Sequence, residues 1–133
     1  MENLVKAQQR YLDHFFSYIP ESVKTILDVG AGVGGNANFL SAKGYEIVSV
    51  SPDPLLKIEF EKNTQHKIPY ILSKYEELAI DQQFDLVLMS ESCQYIDPSQ
   101  GLKQSRKYLK DNGYLLIIDY FIDEAVGGGG LAM

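Results

Sequence analysis

Asp28 lies inside the apolar run Ile26-Leu27-Asp28-Val29, which precedes Gly30-Ala31-Gly32-Val33-Gly34-Gly35. An apolar strand that runs into glycines and then a helix presents backbone N–H groups to a nucleotide-like ligand at the helix N-terminus. The glycines let the backbone come close where any Cβ would collide. The acid before the first glycine points to a ligand with a cationic group, not only a phosphate. A second polar set, Ser90-Glu91-Ser92-Cys93-Gln94-Tyr95, follows the apolar run Phe84–Met89. Strand carboxyl ends carry the chemistry in open α/β sheets, so this set is expected between cofactor and substrate. Glu91 is the candidate general base, or the residue that orients a nucleophile. Gln94 and Tyr95 are candidates for positioning substrate. The plainer reading of each is solvent exposure or capping of the helix near Pro98. Cys93 has no histidine near it in sequence and is read as inert. His14 and His66 lack metal-ligand spacing, so no metal is expected, and no nucleophile–histidine–acid set emerges.

The elements that must position these residues follow from periodicity. Residues 2–18 read as an amphipathic helix ended by Pro20. Its aromatic stripe, Tyr11, Phe15, Phe16 and Tyr18, is either ordinary core or the roof of a substrate pocket. Thr25–Val29 is the first buried strand, and residues 35–43 are a helix closed by Gly44. Residues 46–50 are a second strand, and 54–63 a helix with Pro54 in its first turn. Residues 69–72 make a short third strand, and Phe84–Met89 a central parallel strand. Residues 98–110 are a helix stopped by Asp111-Asn112-Gly113, and 114–121 a fifth strand. Strands alternating with helices predict right-handed βαβ units in an α/β fold.

With the elements in place, the chain resembles the class I S-adenosylmethionine-dependent methyltransferases. The residues that carry the resemblance are Asp28-Val-Gly-Ala-Gly-Val-Gly34, Phe84-Asp85-Leu86-Val87-Leu88 and Leu109-Lys-Asp-Asn-Gly113-Tyr-Leu-Leu116. It implies a doubly wound, mostly parallel Rossmann-like sheet of strand order 3-2-1-4-5 with helices on both faces. It implies methyl transfer from S-adenosyl-L-methionine to an O, N or C nucleophile of a small molecule. Cofactor contacts are expected at Asp28, Gly30, Ala31, Gly32, Gly34 and Ser90. The chain departs from the family at Ser51, where an acid usually holds the ribose. Ser51, Pro52 and Asp53 are read as its replacement, against the alternative that Asp53 only caps the next helix. Lys74 is a second departure; Tyr75 and Glu76 are candidates to meet the adenine, or part of a surface loop anchored by Leu78. The glycines also satisfy a dinucleotide pattern, but the second strand ends without the acid that reads a ribose. A dinucleotide-binding oxidoreductase domain and a non-catalytic S-adenosylmethionine-binding module are therefore the rival readings.

The family's sheet normally continues through two more strands, and the chain stops soon after the fifth. That strand is expected as an open edge that invites a homodimer, with residues 122–133 as a flexible tail containing Gly127–Gly130. The 133 residues suit a single domain, and the 45% hydrophobic content suits a sizeable core. A formal charge of −6 argues against nucleic acid as a partner. No apolar stretch reaches the ~20 residues that span a bilayer, and no signal-peptide pattern opens the chain. With a single cysteine, a cytoplasmic location is expected.

Overall fold

The computed structural model describes residues 14, 16–90, 96–118 and 131–132. Its strands are β1 (Thr25–Val29), β2 (Glu46–Ser51), β3 (Tyr70–Leu72), β4 (Phe84–Ser90), β5 (Leu109–Ile118) and β6 (Leu131–Ala132). Its helices are α1 (Gly35–Ala42), α2 (Pro54–Asn63) and α3 (Pro98–Tyr108), with a 3-10 turn at Tyr75–Glu77. The sheet order is β3-β2-β1-β4-β5-β6. Pairing is parallel from β3 through β5, as expected from the sequence.

Strand alternation divides the core into two layers. Ile26, Ile47, Leu86, Leu88 and Leu116 pack with Phe16, Ala37, Leu40 and Phe60 on one face. Leu27, Val29, Val50, Val87 and Met89 pack with Tyr75, Leu78 and Tyr108 on the other. Helices thus cover both faces, which is why β1 and β4 are apolar throughout apart from a few polar positions. Of the aromatic stripe in the expected N-terminal helix, Phe16 belongs to the core, whereas Tyr18 is exposed. Tyr11 and Phe15 lie outside the described residues.

Two helices begin with the same device. Asp53 caps α2 and Asp97 caps α3, each followed by proline at the first helical position. The carboxylate satisfies backbone N–H groups that have no intrahelical acceptor, and proline lacks the N–H that would need one. Helix α1 differs. Its cap is Gly34 in the left-handed region (φ 97°), with no side-chain cap, and Gly44 (φ 100°) follows its end.

The structure corrects two expectations at the far side of the sheet. Asp111-Asn112-Gly113 reads as a turn before the fifth strand, but it lies inside β5 as an irregular bulge. The step from Phe84 to Leu86 on β4 faces the longer step from Leu109 to Tyr114 on β5. Asn112 takes φ 66° there. A Cβ on Gly113 would stand 2.9 Å from the Lys110 carbonyl oxygen and 3.2 Å from that of Asp85. The local residues are those of a turn because a bulge also needs left-handed and close-packed backbone. Second, β5 is not the free edge expected. Leu131 and Ala132, placed by the sequence in a flexible tail, pair antiparallel with Ile117 and Leu116. An unpaired strand edge offers donors and acceptors that any extended segment within reach satisfies.

Candidate functional site

The sheet reverses its winding beside β1. The chain passes outward from β1 to β2 and β3, then returns to β4 on the other flank of β1. In such sheets the crevice beyond the strand carboxyl ends at this switch point receives ligands. The glycine loop, residues 30–34, leaves β1 at that point.

Asp28 lies beneath the loop with no exposed surface. Register places it between Ser49 of β2 and Leu88 of β4. Ser49 Oγ donates to Asp28 Oδ2 at 3.0 Å. Asp28 Oδ1 is buried without a hydrogen-bond partner among the described residues. Burial pushes the carboxyl up to about 6, and the Ser49 bond works against that rise. An open buried acceptor is rare in a folded protein and asks for an occupant.

Gly30, Gly32 and Gly34 all take positive φ (81°, 57° and 97°), but they do different work. Gly30 N donates to Val50 O at 2.9 Å, tying the loop to the end of β2. Among the described residues, a Cβ at Gly32 would meet nothing within 4 Å, so the loop faces no described neighbour there. At Gly34 a Cβ would lie 3.0 Å from Thr64 Cγ2 and 3.3 Å from Phe60 Cδ2. Gly34 therefore lets α1 seat against α2, and its N–H is used by Ala31 O at 3.2 Å. Ala31 is buried. Asn63 at the end of α2 donates through Nδ2 to Val33 O at 2.9 Å, holding the loop from behind.

At the end of β2, Asp53 Oδ1 accepts from Leu55 N (2.8 Å) and Leu56 N (3.1 Å). The cap anticipated for Asp53 is present, and it occupies one carboxylate oxygen. Tyr70 Oη donates to Asp53 O at 2.8 Å, and the buried Ser51 hydroxyl also bonds the Tyr70 phenol. Ser51, Asp53 and Tyr70 thus form one linked group, with Pro52 exposed between them.

Tyr75 is buried in the core layer beneath α3. Its phenol lies 2.9 Å from Ser105 Oγ of α3, and burial pushes it up to about 12. Its carbonyl accepts from Gln104 Nε2 at 2.8 Å. The Tyr75 phenol, a candidate adenine contact from the sequence, is thus engaged with α3. Glu76 is half-buried beside it, and Leu78 anchors the loop in the core. Ser90 closes β4 at the same end of the sheet. Glu91, Cys93, Gln94 and Tyr95 lie outside the described residues. No group of three or more His, Cys, Asp or Glu side chains fit to hold a metal gathers among the described residues.

Ser49, Asn63 and Tyr70, which bond Asp28, Val33 and Asp53, were not singled out from the sequence. Ser49 carried one visible signal, a hydroxyl inside an apolar strand meant for burial. Asn63 and Tyr70 carried none, because their partners are distant in sequence.

The methyltransferase domain family matches residues 4–126. An uncharacterized methyltransferase of Mycobacterium tuberculosis is 26% identical over 110 residues, which cover 82% of this chain and 45% of that protein. A ubiquinone biosynthesis O-methyltransferase of Rickettsia akari is 34% identical over 98 residues, covering 69% of this chain and 38% of that protein. Among solved structures, a protein of Pyrococcus horikoshii gives a TM-score of 0.77 at 22% identity, covering 92% of this chain and 57% of that one. The glycopeptide N-methyltransferase MtfA, complexed with S-adenosyl-L-methionine, gives 0.74 at 17% identity, covering 86% and 55%. At these identities the structural likeness speaks for the fold alone. The chain spans about half the length of the first curated relatives it matches.

Proposed function

Because the chain belongs to the methyltransferase domain family, we propose that its glycine loop binds S-adenosyl-L-methionine and that the protein transfers the methyl group to a small-molecule O, N or C nucleophile. The observation that carries this reading is the buried Asp28 Oδ1, without a partner among the described residues, below a loop that meets none of them at Gly32. An ammonium group satisfies that acceptor, whereas a pyrophosphate is repelled by an ionised one. The residues present therefore fit an amino-acid-bearing cofactor better than a dinucleotide.

When bound, the cofactor supplies an already activated sulfonium methyl, so the protein's task is alignment. In this reading Asp28 holds the ammonium end. The backbone at Gly30, Ala31 and Gly32 lines the cofactor, and Gly34 keeps the loop seated on α2. Ser51, Pro52 and the second carboxylate oxygen of Asp53 meet the ribose. Glu76 lies toward the adenine, and Ser90 borders the methyl. Glu91 takes a proton from acceptors that must lose one, with Gln94 and Tyr95 orienting the acceptor.

Titration calorimetry with S-adenosylhomocysteine and with NAD tests the reading. The expected result is saturable binding of S-adenosylhomocysteine, weakened at least tenfold in Asp28→Asn and in Gly32→Val, with no heat from NAD. Binding of NAD with none of S-adenosylhomocysteine would overturn it.

A further inference from the structure

β2 is apolar at Ile47, Val48 and Val50, yet Ser49 sits fully buried among them. A buried hydroxyl needs a partner, and parallel register sets Ser49 beside Asp28. Its Oγ donates to Asp28 Oδ2 at 3.0 Å. On the other flank Asp28 faces Leu88, which offers no polar group. One carboxylate oxygen is thus anchored, and Oδ1 is left open.

We propose that Ser49 is a positioning residue for the methyl donor: its hydroxyl fixes Asp28 Oδ2 and so holds Oδ1 as the acceptor for the donor's ammonium group. This inference rests on the donor reading given above. Ser49 touches no ligand and acts through Asp28. Without its bond the carboxylate is free to rotate and has no hydrogen bond in the core.

The same bond bears on protonation, since only ionised Asp28 attracts an ammonium. Burial raises the carboxyl and the Ser49 bond lowers it. The titratable groups on the surrounding elements are Glu46 of β2, Tyr70 of β3, Asp85 of β4, Lys43 after α1, His14, and the Lys and Glu side chains of α2. The causes that shift Asp28 are its burial, which raises the carboxyl, and the Ser49 bond, which lowers it. Among the described residues, the Ser49 bond draws the carboxyl back toward its ionised form.

Calorimetric titration of the full chain with S-adenosylhomocysteine from pH 5 to pH 8 tests the proposal. Wild-type affinity falls as pH drops through about 6. In Ser49→Ala the midpoint of that fall moves up by about one unit, which reads as about fivefold weaker binding at the wild-type midpoint and about tenfold weaker binding below it. Ser49→Thr keeps a hydroxyl and restores the wild-type midpoint. Thermal melts without ligand show the same upward move of the pH-dependent window in Ser49→Ala. If that variant does not fold, Ser49→Cys replaces it; the thiol is a weak donor, and a smaller upward move is expected. An unmoved midpoint, with binding weakened equally at every pH, overturns the positioning role while leaving the donor reading intact. Absence of wild-type binding at every pH overturns both.

Discussion

Below pH 3.8 the Asp28 carboxyl carries its proton in folded and unfolded chains alike. Between 3.8 and about 6 the folded chain keeps a proton that the unfolded chain has released. Stability therefore falls as pH rises through that window, and above about 6 the loss is complete. The shift corresponds to roughly 3 kcal/mol. Asp28→Asn is expected to raise the stability of the ligand-free chain at pH 7 by up to about 3 kcal/mol, read by urea unfolding. The gain shrinks toward zero at pH 4, and S-adenosylhomocysteine binding weakens in the same variant. Asp28 was legible in the sequence, since an acid inside an apolar strand before glycines has few structural uses. Its partner Ser49 was not, because their contact depends on strand register across an intervening helix. The burial of Tyr75 was not legible for a related reason. Its neighbours Lys74 and Glu76 are those of a surface turn, and Ser105 on α3 draws the phenol inward.

At the scale of elements, α1 and α2 are seated on each other through Gly34, Phe60, Thr64 and Asn63. Gly34→Ala forces a side chain into left-handed backbone 3.0 Å from Thr64 Cγ2. The expected loss is about 2–3 kcal/mol of stability, with α1 displaced and ligand affinity reduced. Gly32→Ala has the strain without the collision, so its expected cost is smaller, about 1–2 kcal/mol. The pair separates packing from ligand approach by differential unfolding. Asp53 separates similarly. Asp53→Ala removes the α2 cap and costs about 1 kcal/mol, whereas Asp53→Asn retains the cap. Unchanged S-adenosylhomocysteine affinity in Asp53→Asn assigns the residue to the helix alone; a loss at unchanged stability assigns it to the ribose. The order and type of these elements were readable from apolar periodicity and from the Asp-Pro starts. The bulge in β5 was not, since a turn and a bulge draw on the same residues and only pairing with β4 distinguishes them.

Across the whole molecule, two carboxylates give stability opposite dependences on pH. Asp85, at the far end of the sheet from Asp28, accepts from Lys24 N, Thr25 N and Thr25 Oγ1. The backbone bond from Lys24 leads in lowering its pKa, helped by Thr25 and by Lys110 at 3.4 Å. Asp85 therefore stabilises the fold above the ordinary carboxylate range, and that contribution disappears as pH falls through its lowered value. Asp85→Asn is expected to cost about 1–2 kcal/mol at pH 7, with the difference closing in strong acid. Unfolding curves of Asp28→Asn and Asp85→Asn taken across pH separate the two slopes. The parallel sheet order was legible because each βαβ unit is local in sequence. The sixth strand was not, since Leu131-Ala132 carries too little pattern to announce a pairing.

Among the described residues, strand β6 spans two residues and pairs with β5 at Leu116 and Ile117. So short a strand opens by itself, far more often than the whole sheet unfolds. Each opening bares a stretch of β5 backbone ready to receive a strand from another chain. The homodimer expected from the sequence would then form at a rate set by the fraying of this one seam. Its onset should follow hydrogen exchange at the Leu116 and Ile117 amides, and core substitutions that raise the melting temperature should leave it unchanged.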